Sequence, residues 1–132
     1  MMHSYTCFLS GVCLKNGEGK WTVLSCPHHA KWTIALSGKA TCKDPTKLYL
    51  LAALAALDDF TVRCDVSLVV DNVSVLGVLE EIAGGLESED SVKPVSRYAL
   101  VKQFDRHKVT VAHVPLTADK RWREVLANLR AV

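Results

Sequence analysis

Apolar and polar positions alternate loosely from Tyr5 to Leu14 and again from Trp21 to Cys26, with turn chemistry between them at Asn16-Gly17-Glu18-Gly19. That pattern predicts a β-hairpin. After a break at Pro27-His28-His29, the stretch from Lys31 to Leu36 places Trp32, Ile34 and Leu36 on one side, as a third strand would, and Ser37-Gly38-Lys39 is expected to close it. Asp44-Pro45 reads as an N-cap followed by proline at the first helical position, opening a helix that ends near Asp58-Asp59. Because Leu48 to Leu57 offers no polar face apart from the Tyr49 hydroxyl, this helix must be covered on several sides, by the sheet, another helix or a second chain.

The near-continuous apolar run Val66 to Val70 suits a strand buried on both faces, and it stops at Asp71-Asn72. Asn72 can cap a helix over Val73 to Ala83, which Gly84-Gly85 ends. Glu87 to Lys93 reads as an acidic loop, the most mobile stretch expected. Pro94 then precedes a helix over Val95 to Arg106. Val109, Val111 and His113 alternate in a last strand halted by Pro115, and a closing helix is expected from Asp119 to Leu129, with Trp122, Val125, Leu126 and Leu129 inward. The order β-β-β-α-β-α-α-β-α implies an α/β mixed five-stranded sheet with helices packed on it.

Composition narrows the class. A chain of 132 residues with 49% apolar content fits a single domain over 1–132, and the ten-residue run Leu48 to Leu57 is too short to span a membrane. The start lacks a basic leader and a long apolar stretch, so a cytoplasmic protein is expected. Five cysteines, odd in number and never spaced CxxC, argue against a disulfide framework or a common zinc module, and are expected to be buried thiols.

The net charge of +2 is unevenly spread. Residues 1–47 carry six Lys against Glu18 and Asp44, residues 48–90 carry Arg63 against nine acids, and residues 91–132 carry nine bases against three acids. Basic ends around an acidic middle could present a basic face to nucleic acid, or could simply be a solvated surface.

The element order and several local sequences resemble the ribonuclease H-like fold over almost the whole chain. The features that carry the resemblance are Ser10-Gly11 in the first strand, the Leu/Ala helix at Leu48 to Leu57, Val69-Val70-Asp71-Asn72 at a strand end, and His113-Val114-Pro115. Enzymes of that family cut the RNA strand of an RNA–DNA hybrid with two Mg²⁺ ions, held by four carboxylates from the first strand, first helix, fourth strand and last helix. Matching motif by motif, the resemblance places Ser10, Tyr49 and Arg123 where three of those carboxylates would stand and keeps Asp71 as a catalytic remnant. One acid beside a guanidinium cannot offset the charge of two divalent ions. The resemblance therefore implies no metal cofactor, with Arg123 occupying the metal's space and pairing with Asp71. If the last helix is read one turn away, Asp119 or Glu124 faces the pocket instead. The Gly-His loop that follows the last strand in the family is shortened here to Leu116-Thr117-Ala118.

Other constellations compete with plain structural roles. Cys7, Cys26, His28 and His29 are zinc-type ligands without a standard spacing. Cys64 or Cys13 could be a nucleophile with His107 or His113 as its base, although nothing in the sequence places them together. Lys15, Lys20, Trp21, Lys39, Lys43 and Lys47, with Trp32, fall on elements that in this fold border bound nucleic acid: lysines neutralise phosphate, and an exposed Trp can stack on a base or sugar. Arg97, Lys102, Arg106 and Lys108 form a second basic strip. His113 is read as a packed histidine.

The leading expectation is a catalytically inactive ribonuclease H-like module that binds nucleic acid or serves as a protein-interaction scaffold. Two alternatives stand beside it. One is a Mg²⁺-dependent nuclease acting on RNA–DNA hybrids, with ligands rearranged around Asp71, such as Asp119, Glu124 or Asp65. The other is a homo-oligomeric structural protein, a homodimer for example, using the apolar helix as its contact.

Overall fold

The computed structural model describes residues 3–84 and 95–132. The acidic segment Glu87 to Lys93, with Gly85 and Pro94, lies outside the described residues, as does the Arg97 side chain. The elements run β1 (His3–Cys13), β2 (Glu18–Pro27), β3 (Ile34–Thr41), α1 (Pro45–Asp59), β4 (Cys64–Val70), α2 (Val73–Ala83), α3 (Val95–Arg106), β5 (Lys108–His113) and α4 (Trp122–Ala131). This is the order expected from the hydrophobic pattern.

Three boundaries differ from the sequence reading, each for a local reason. The first turn sits one step earlier, with Leu14 N–H donating to the Glu18 carbonyl at 2.7 Å and Gly17 in the left-handed region at φ 85°. Glu18 and Gly19 therefore belong to β2. The strand β3 begins at Ile34 and runs through Ser37-Gly38-Lys39, because Gly38 is a point of close approach: a Cβ there would meet the Trp21 ring at 2.5 Å. The helix α4 starts at Trp122, since Asp119 closes a turn of its own by accepting from Arg121 N–H at 2.9 Å.

The five strands are ordered β3-β2-β1-β4-β5. Strands β1, β2 and β3 pair antiparallel, while β1–β4 and β4–β5 pair parallel. The antiparallel edge follows from short hairpin turns and the parallel half from helical crossovers. The central strand β1 buries Cys7 to Ser10.

Helices cover both faces. On one, α1, α2 and α3 pack with Cys7, Leu9, Val23, Val66, Leu68 and Val70 into the main core. On the other, Trp122 and Val125 of α4 pack with Phe8, Leu24, Cys26 and Val69. The apolar helix α1 is sandwiched between the sheet and helices α2 and α3, so its own chain supplies its cover. That removes the observation that motivated a homo-oligomeric contact there.

The reading of five unpaired thiols is corrected. Cys13, at the end of β1, and Cys42, just before α1, form a disulfide with Cα atoms 5.6 Å apart, while Cys7, Cys26 and Cys64 are free and buried. The pairing was hidden because it depends on register: the Gly17 carbonyl accepts from Cys42 N–H at 2.9 Å, folding the hairpin turn onto the segment that leads into α1. Among the described residues no helix is long and apolar enough to cross a membrane.

Candidate functional site

Parallel pairing aligns Leu9 with Val70, so the residues just beyond them, Ser10 inside β1 and Asp71 just past the end of β4, come side by side where the β1–β4 ladder ends. A crevice opens beside this point of the sheet, at the strand ends where α/β sheets usually take ligands. Tyr49 reaches it from α1. Asp44 caps that helix by accepting from Thr46 N–H at 3.0 Å, Pro45 opens it, and Leu48 lies directly against β1 and β2. A Cβ at Gly11 would sit 2.7 Å from Leu48 Cβ, so glycine at this position is what lets the start of α1 approach the strand ends.

Here the Tyr49 hydroxyl donates to Asp71 Oδ1 at 2.5 Å, and the Ser10 hydroxyl donates to Asp71 Oδ2 at a long 3.5 Å. Tyr49 and Ser10 are buried, at 4% and 2% exposure, and Asp71 is half-buried. Burial first, then the hydrogen bond to Asp71 and its charge, pushes the Tyr49 phenol well above its ordinary value. The phenol is therefore a fixed donor at neutral pH.

Beside this triad runs a groove of about 390 Å³ lined by Ser10, Gly11, Val12, Leu14, Lys20, Asp71, Leu126, Leu129 and Arg130. Two cations face one carboxylate. The placement of Arg123 on Asp71 is corrected: Arg123 is exposed, does not line the groove, and makes no ion pair with Asp71 among the described residues. Trp122 and Val125 anchor the first turns of α4 over Phe8 and Leu24, so the C-terminal half of the helix lies over the strand ends. Arg130, seven residues on, shares the Arg123 stripe. That i, i+7 relation is the sequence signal for Arg130, and which of the two reaches the site depends on where along its length the helix crosses the strand ends.

The other acids considered as ligands lie elsewhere. Asp119 forms an ion pair with Arg121 at 2.8 Å, which lowers the carboxyl pKa, and Glu124 is exposed and outside the groove lining. Asp65 stands near the start of β4, at the opposite end of that strand from Asp71. Among the described residues no three of His, Cys, Asp and Glu gather where a metal ion could be held. A pair of Mg²⁺ ions needs several free carboxylate oxygens. The single carboxylate here, with both oxygens hydrogen-bonded and two cations alongside, does not fit that pair.

The basic residues divide. Lys20 lines the groove, and Lys39 faces it across the β2–β3 ladder. Lys43 and Lys47 line a second hollow of about 470 Å³ with Gly17, Thr41, Cys42 and Asp44, where Lys47 Nζ donates to the Thr41 carbonyl at 3.2 Å. Lys15 is exposed in the hairpin turn. Trp21 is corrected from an open stacking surface to a packed one, half-buried against the core with its indole over Gly38. Trp32 is 53% exposed but stands edge-on to Tyr5, whose strand position places it toward the opposite end of the sheet from Asp71. In the second basic strip, Arg106 donates to the Phe60 carbonyl and Lys102 lies 4.8 Å from the centre of the Tyr98 ring.

The cysteine and histidine pairings resolve structurally. Cys7 packs in the main core and Cys26 in the α4 cluster on the other face of the sheet, while His28 Nε2 hydrogen-bonds Thr6 Oγ1 at 2.8 Å. Burial pushes the Cys7 thiol up to about 12, far from a reactive thiolate. His107 does adjoin Cys64, but through the backbone: its Nδ1 accepts from Cys64 N–H at 3.0 Å and its Nε2 bonds the Leu57 carbonyl at 3.1 Å. The Cys64 thiol donates to the Val62 carbonyl at 3.2 Å. His113 is half-buried, at the end of β5 beside Val70.

No protein-family model and no curated protein matches the sequence. Among solved structures, the chain is similar to RNase H1 from the halophilic archaeon Halobacterium salinarum NRC-1, with a TM-score of 0.70 over 92% of this chain and 93% of that one, at 16% sequence identity. With its sheet order and helix placement, that likeness establishes a ribonuclease H-like fold.

Proposed function

We propose that this chain is a ribonuclease H-like module that binds nucleic acid without cleaving it. The observation that carries the reading is the state of Asp71, a single carboxylate whose two oxygens are taken by the Tyr49 and Ser10 hydroxyls. Two divalent ions bring four positive charges into one crevice, and one carboxylate flanked by Lys20 and Arg130 leaves them repelling one another. Binding needs only the fold's exposed cations. Lys15, Lys39, Lys43 and Lys47 are exposed on the hairpin turn, on β3 and in the segment around the start of α1.

The test is incubation of the purified protein with a labelled RNA–DNA hybrid in Mg²⁺ and in Mn²⁺. Retention that weakens with salt, without cleavage, is expected, and Lys43→Ala with Lys47→Ala should lower the salt slope by about 0.9 for each phosphate that is no longer neutralised. Metal-dependent cleavage that Asp71→Asn abolishes would overturn the proposal.

A further inference from the structure

We infer that the groove beside Asp71 seats a nucleic-acid phosphodiester directly, with the Lys20 ammonium and the Arg130 guanidinium as its ligands and no metal ion between. The inference rests on the nucleic-acid reading above and names the site and the chemistry of contact. Lys20 comes from β2 and Arg130 from the last turn of α4, and both line the same groove. Asp71 is its one acidic lining residue among those described, and it forms no ion pair with either cation there, its oxygens being turned to Tyr49 and Ser10. The positive charge is therefore left without an internal partner.

The β2–β3 register adds a second observation. Lys20 stands directly opposite Lys39, so two like charges share one face of an antiparallel pair, an arrangement that costs stability until an anion joins them. Neither lysine has a hydrogen bond or ion pair among the described residues. A phosphodiester supplies that anion, and a guanidinium can grip two of its oxygens at once. The rest of the groove suits the sugar of the same strand: Val12 and Leu14 are each 38% exposed at its edge, and Leu126 and Leu129 form the α4 wall.

A metal-bridged and a direct contact give opposite signs on changing Asp71. The experiment is fluorescence anisotropy of a labelled single strand and a labelled hybrid, in EDTA and in Mg²⁺, with wild type, Lys20→Ala, Arg130→Ala and Asp71→Asn, each checked by circular dichroism. Direct contact predicts wild-type binding unchanged by EDTA, a salt slope lower in each cation variant by about 0.9 on the hybrid and about 0.7 on the single strand, and tighter binding in Asp71→Asn. Wild-type binding that neither cation variant alters would overturn this seat while leaving the nucleic-acid reading standing. Binding that requires Mg²⁺ and is lost in Asp71→Asn would overturn the direct contact. Absence of wild-type binding to either probe would remove the parent reading with it.

Discussion

The Tyr49 hydroxyl donates to Asp71 Oδ1 at 2.5 Å, joining the first turns of α1 to the carboxyl end of β4. A hydrogen bond to an ionised acceptor in a part-buried place contributes about 1.5–3 kcal/mol. Tyr49→Phe should lower stability by about that amount in urea unfolding at pH 7. The alkaline limb should change as well. Because the folded state holds the phenolic proton more tightly than the unfolded chain, this contribution is complete below the ordinary pKa of 10.0 and falls as pH rises through the raised native value. Tyr49→Phe should flatten that loss, leaving the part due to Tyr5 and to the Cys7, Cys26 and Cys64 thiols, which burial also raises.

Replacing both hydroxyl donors by acids tests what the crevice lacks. Ser10→Asp with Tyr49→Glu would gather three carboxylates at the strand ends with Asp71, enough oxygen ligands for a hard cation. Calorimetric titration with Mn²⁺ should show a saturable site in the double variant and none in wild type. Equal binding by wild type would show that the donor argument is wrong.

His107 ties three elements together and is 2% exposed. Its Nδ1 already accepts from Cys64 N–H, so protonation would break that bond, and burial lowers its pKa below the ordinary 6.5. The contribution is therefore complete above pH 6.5 and is lost as pH falls toward the depressed native value. Urea midpoints measured from pH 7.5 to 5 should decline in wild type, and His107→Gln should show a lower midpoint at pH 7.5 with a shallower decline.

The Cys13–Cys42 disulfide spans a sequence separation of 29, a loop for which chain entropy gives about 3–4 kcal/mol of stabilisation. Reductant should lower the melting temperature of wild type and leave Cys13→Ser with Cys42→Ser unaffected. Thiol counting in denaturant should find three groups before reduction and five after. Five before reduction would refute the pairing.

Periodicity made the α/β order legible because strand and helix repeats differ. The whole of α2 and α3 could be read from Asn72, Gly84 and the spacing of apolar residues. Asp71 was legible too, since a buried apolar run ending in Asp before a capped helix marks a strand end. At Gly38 local rules fail, because they make glycine the mark of a turn, whereas here it makes room for an indole from the neighbouring strand.

Short-range repeats and caps were enough to specify the order of the elements, their buried faces and the positions of Ser10 in β1, Tyr49 in α1 and Asp71 just past β4. Tertiary structure alone decided that Tyr49 and Ser10 hold Asp71, that Arg130 rather than Arg123 lines the groove, and that Cys13 meets Cys42. Those outcomes depend on strand register and on where a helix begins along the sheet, and a shift of a few residues, nearly silent in a hydrophobic pattern, moves a side chain many ångströms.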